Sequence, residues 1–129
     1  MTTSRILSIC SILFFLFLIA VPDASATSCS TLSFFVGDAR TKLVRAKNET
    51  NFEVAKDYAM RAKSALGDAE KAAMDCNCTI AIAELDTAAS CARRAGDSDN
   101  PADFVYNLNI AIRSLNSVIE ALGACTGAP

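Results

Sequence analysis

FEVAKDYAMRAKSALGDAEKAAMDCNC, residues 52–78, is the stretch on which the fold turns. Phe52, Ala55, Ala59, Ala62, Leu66, Ala69, Ala73 and Cys76 follow one another at alternating spacings of three and four. Those spacings put them on one face of a long helix, a heptad seam filled mostly with alanine. Alanine buries little area, but it lets a partner backbone come close. Gly67 lies beside the seam and costs about 1 kcal/mol of helix propensity against Ala. Nothing in the sequence accounts for it. Thr50 and Glu53 have the spacing of a capping box, which predicts the helix start. The far end is the joint Cys76-Asn77-Cys78.

Working outward, a preceding helix is predicted over about residues 29–47, with Leu32, Phe35, Ala39, Leu43 and Ala46 on one face. Arg40, Lys42, Arg45 and Lys47 crowd its last turns, where cations complement the negative end of the helix dipole. They read as a solvated helix end. Beyond the joint, Thr79 is the expected N-cap of a third helix. Ala81, Leu85, Ala88, Ala92 and Ala95 form its stripe, and Gly96 is its natural stop. Asn100 then caps a fourth helix with Pro101 in its first turn. Val105, Leu108, Ile112, Leu115, Ile119 and Leu122 form its apolar row, widened by Phe104, Ala111, Val118 and Cys125. Asp97, Asp99 and Asp103 do not make an EF-hand, because Pro101 and Ala102 stand where that loop wants an oxygen ligand and a glycine. No stretch alternates at the strand period, and no internal repeat or low-complexity segment is read from the sequence. Four helical patterns with short breaks predict an all-α, up-down-up-down four-helix bundle.

The 129-residue chain opens with a different kind of segment. Arg5 precedes an uncharged apolar run, Ile6 to Val21, followed by Pro22 and the small-residue triplet Ala24-Ser25-Ala26. That order is a secretory signal peptide, residues 1–26, with cleavage expected after Ala26. The mature domain then spans 27–129. It is expected to be secreted or periplasmic, with no membrane span after the leader is removed. The net charge is −2, which offers no electrostatic case for nucleic acid.

Five cysteines remain after the leader: Cys29, Cys76, Cys78, Cys91 and Cys125. In an exported small domain they read as a disulfide framework with one left over. Tracing the helices up and down collects Cys29, Cys76, Cys78 and Cys125 at one pole. Two bridges joining Cys29 and Cys125 to Cys76 and Cys78 are expected, with the partner choice open. Helix 1 is expected to be shorter than helix 2, so Cys29 needs unwound flanks to reach its partner. Cys91 is the unpaired thiol: a small buried residue, or an intermolecular bridge. The rival use of the pole is Cu or Zn held by Cys76, Cys78 and Cys125 as thiolates.

Other chemistry is scarce. The chain has no histidine, so Ser-His and Cys-His nucleophiles are not available. There is no Gly-rich phosphate loop and no haem-attachment motif, and no cofactor is expected. Asn48-Glu49-Thr50 and Asn77-Cys78-Thr79 are glycosylation sequons if the source is eukaryotic. A glycan on Asn77 is expected to compete with packing at the joint. The functional expectation is a non-catalytic binding module whose partner is another protein or a second copy. The alternatives are the thiolate metal protein and a carrier of a small apolar ligand, the latter disfavoured by seams too alanine-rich to leave a large cavity.

Overall fold

The computed structural model describes residues 29–125. The expected leader, its cleavage after Ala26 and the last four residues lie outside them. Four helices follow in order: α1 over 29–48, α2 Phe52–Asp75, α3 Thr79–Gly96 and α4 Pro101–Cys125. No strand occurs among the described residues. α3 packs extensively against both α2 and α4, while α2 and α4 sit on a diagonal. The chain is an up-down-up-down four-helix bundle, stapled by disulfides Cys29–Cys76 and Cys78–Cys125.

The breaks are built locally. Asn51, in extended backbone, caps α2 by accepting the Val54 N–H at 3.2 Å, and the Glu49 carboxylate accepts the Asn51 N–H at 3.0 Å. The expected Thr50–Glu53 box is therefore not used. α2 starts one residue later than that box requires, with Phe52 as its first residue, edge-on to Phe104 of α4 at 5.6 Å. At the other end Asn77 has φ +60°. Its N–H donates to Met74 O and that of Cys78 to Ala73 O, at 3.2 and 2.8 Å. This is a Schellman closure with Asn in the left-handed position usually held by Gly. Cys78 then stands at the N-cap of α3 with no side-chain cap bond, because its sulfur is committed to Cys125. Thr79, the expected cap, is the first helical residue instead. Asn100 caps α4 as expected, accepting the Asp103 N–H and donating to the Asp103 carboxylate, both at 2.9 Å.

The core is thin and tightly seamed. Leu32, Leu43, Leu66, Leu85, Leu108 and Leu115 are fully buried, with at least one from every helix. Between them lie alanines: Ala55, Ala59, Ala62 and Ala69 of α2 against Ala81, Ala88, Ala92 and Ala95 of α3. Small side chains let helix axes approach the short end of the usual 8–10 Å range. Two expected rows are corrected. In α1, Val36 takes the buried place and Phe35 is half-buried. In α4, Phe104, Leu108, Ala111, Leu115 and Val118 form the buried row, while Val105 and Ile119 are 51% and 36% exposed. The apolar residues of α4 exceed what one packed face can cover. The helix therefore turns its Phe104–Val118 side inward, where the rings and leucines bury most area.

The expectation of no repeat is also overturned. The offset that carries Cys29 to Cys78 carries Cys76 to Cys125. It also carries Ala39, Ala46, Asn51, Ala62 and Leu66 onto Ala88, Ala95, Asn100, Ala111 and Leu115. Leu32, Val36, Leu43, Ala55, Ala59, Ala65 and Ala69 fall on Ala81, Leu85, Ala92, Phe104, Leu108, Ser114 and Val118, all of them buried. Both helix caps are the matched asparagines Asn51 and Asn100. The bundle is two copies of a stapled helical hairpin, α1–α2 and α3–α4, joined through Asn77. Substitution at nearly every solvent position hides the relation in sequence, and Leu↔Ala and Ala↔Phe exchanges blur it inside.

Candidate functional site: the cysteine pole and the outer edge of α4

Each disulfide ties the first residue of a hairpin to its last. Cα separations are 5.4 Å for Cys29–Cys76 and 5.2 Å for Cys78–Cys125, within the ordinary range. The pairing joins sequential antiparallel helices and does not cross. α1 stays helical to Cys29, so the expected unwinding is absent; residues 49–51 span the difference in helix length. The two bridges touch at the pole, where the Cys29 sulfur lies 3.3 Å from the Cys125 carbonyl oxygen. With all four sulfurs in disulfides, Cys76, Cys78 and Cys125 present no thiolate for Cu or Zn. Among the described residues no group of three metal-ligating side chains comes together.

Cys91, the remaining thiol, is buried at 5% exposure on α3. A thiol from a second chain has no approach to it in this fold. Asn48 ends α1 at one pole and Asn77 stands at the other, and both are exposed. The Asn77 side chain is exposed beside the cysteine joint. Its backbone closes the joint and its amide faces water.

What sequence reasoning missed is the outer edge of α4. Val105, Ile112 and Ile119 recur every seventh residue, with Asn109 and Asn116 between them. This strip carries no charge and leaves Val105 and Ile119 in water. The hairpin offset places Lys56, Lys63 and Glu70 of α2 at the same three positions. The signal was present in the heptad row, but that row read as core. Only burial separates its inward members, Leu108 and Leu115, from its outward ones.

Two shallow hollows repeat between the hairpins. One of about 190 Å³ is lined by Lys63, Ala89, Ser90 and Arg93. Another of about 350 Å³ is lined by Arg40, Thr41, Val44 and Arg45. The offset carries Arg40, Thr41 and Val44 to Ala89, Ser90 and Arg93. It also carries Lys63 to Ile112, while the residues lining the larger hollow are all on α1.

Among the described residues the ion pairs are short-range helix pairs such as Lys42–Asp38 at 2.8 Å and Arg61–Asp57 at 2.9 Å, worth little each. Glu70 has its carboxyl held above the ordinary range by partial burial and secondarily by Asp86. No helix among the described residues is long and apolar enough to cross a membrane, and the two disulfides fit an oxidising compartment. No family model, no curated protein and no solved structure matches this chain.

Proposed function

We propose that this protein is an exported, non-catalytic binding module whose partner is another protein, engaged through the outer edge of α4. The observation that supports this reading is the strip Val105, Ile112 and Ile119. The other hairpin fills the same positions with Lys56, Lys63 and Glu70, so the hairpin fold does not require aliphatic side chains there. A row of aliphatic side chains along one helix edge, exposed at Val105 and Ile119 and half-buried at Ile112, that the architecture does not need supports an interaction surface. The cysteine chemistry points the same way: four thiols serve the scaffold and the fifth is buried.

Site-specific photocrosslinking in the native extracellular or periplasmic fluid tests this. A diazirine side chain at Val105 is expected to yield a discrete protein adduct, while the same group at Lys56 yields none. Adducts at neither position, or equally at both, would contradict the reading.

A further inference from the structure

The α4 strip does not stand alone, and its surroundings select the chemistry of what binds it. Resting on the binding-module reading above, we infer that the edge between α4 and α1 receives an acidic amphipathic helix of a protein partner. That helix sets aliphatic side chains on Val105, Ile112 and Ile119 and carboxylates on Arg40 and Arg113.

Three observations carry this. The first is shape and length. Val105 to Ile119 spans roughly 21 Å along the helix at 1.5 Å per residue, about four turns of a docked partner helix. A straight row of anchors on a helical edge is the geometry of helix-in-groove recognition. The second is charge. Arg40 lines the α1 hollow; its repeat counterpart Ala89 shares a hollow with Lys63, the counterpart of Ile112, and Arg113 follows Ile112 on α4. Neither arginine forms an ion pair among the described residues. Glu120, beside Ile119, is the carboxylate at the strip's far end. α1 carries Arg40, Lys42, Arg45 and Lys47 against the single carboxylate Asp38, which Lys42 already engages. A chain of net charge −2 thus keeps a basic rim along one apolar edge.

The third observation is the asymmetry between the hairpins. The offset carries Arg40 to Ala89 and Arg113 back to Ser64. At the equivalent edge the aliphatic strip is missing, and its first two positions are the lysines Lys56 and Lys63. The equivalent edge is itself basic, with Lys56, Lys63, Arg93 and Arg94, so what distinguishes the α4 edge is the aliphatic row set among cations. A second copy of this chain fits poorly. Antiparallel pairing centred on Ile112, which matches Val105 with Ile119, sets Arg113 beside its own copy, and like charges in register repel.

The test uses the disulfide-bonded, leader-processed chain and three labelled helical peptides of about five turns. They share one leucine and isoleucine face and carry Glu, Gln or Lys on its flanks. Fluorescence anisotropy is expected to show the Glu peptide bound at least about tenfold more tightly than the Lys peptide, with the difference shrinking as salt rises. Ile112→Lys installs the residue type found at Lys63. It is expected to weaken Glu-peptide binding by about tenfold or more while the chain stays folded. Val105→Lys, at a more exposed position, is the second variant should Ile112→Lys lower the melt. Arg40→Gln with Arg113→Gln is expected to erase the preference for Glu over Lys. If all three peptides bind alike and Ile112→Lys abolishes binding, the acidic partner is wrong and the binding module survives. Absence of binding by any peptide also overturns the inference, and the photocrosslinking above then decides the module itself. Sedimentation showing a dimer that Ile112→Lys dissociates would replace the acidic partner with a second copy.

Discussion

Gly67 and Gly96 show how far one residue's role escapes the sequence. A Cβ on Gly67 meets nothing within 4 Å, whereas a Cβ on Gly96 overlaps the Met60 side chain. Gly67→Ala is therefore expected to raise stability by about 0.5–1 kcal/mol through helix propensity and unfolded-state entropy. At Gly96 the displacement of Met60 opposes that gain, and a net loss of about 1 kcal/mol is expected from overpacking. Urea melts of the two variants check the opposite signs. Glu70 supplies the pH dependence. Its folded carboxyl titrates above the ordinary range because of burial first and Asp86 second. The folded state therefore holds the proton more firmly than the unfolded chain. The stability this contributes is fully present below the unfolded pKa and is lost as pH rises through the folded one. Glu70→Gln is expected to raise Tm relative to the wild type near pH 7, with the difference closing towards about pH 4. A difference independent of pH would exclude this origin.

The four helices and nearly all their boundaries were legible because alanine and leucine recur at helical spacing and because Asn100-Pro101 is strong local punctuation. The caps at Asn51 and Cys78 were not, since Thr50 and Thr79 satisfy the same local rules one residue away. The orientation of α4 was the larger miss. Val105–Leu108–Ile112–Leu115–Ile119–Leu122 is a consistent heptad row, yet the helix rolls so that Leu108 and Leu115 enter the core and Val105 and Ile119 leave it. Leu115→Ala is expected to cost about 2–5 kcal/mol, as for other fully buried leucines. Ile119→Gln on the same helix is expected to stay within about 0.5 kcal/mol, because the site is already partly wet. Comparable losses at the two positions would restore the simple heptad reading.

For the molecule as a whole, the two disulfides close the long loops of the described chain. Each bridge spans a sequence separation of 47, and the two loops lie in series, neither nested nor crossed. Loop-closure entropy predicts about 4 kcal/mol for each. Cys29→Ala with Cys76→Ala, and Cys78→Ala with Cys125→Ala, are expected to give similar losses in denaturant melts. A loss several-fold larger for one pair would mean that native contacts at the pole, and not chain entropy, set its contribution. Thiol counting in the same samples is expected to find Cys91 alone in the wild type, labelled only after denaturation.

The sequence by itself determined the helices, the pole where four cysteines gather and the alanine seams, because each follows from spacing along one chain. Which cysteine meets which, and which side of α4 faces water, was decided only when the hairpins packed. Those choices depend on neighbours distant in sequence. The repeat needed both kinds of information. Its cysteines and cap asparagines are identical between the halves, but its core matches only as buried positions. Burial selects size and polarity at a site and leaves the residue itself free to differ.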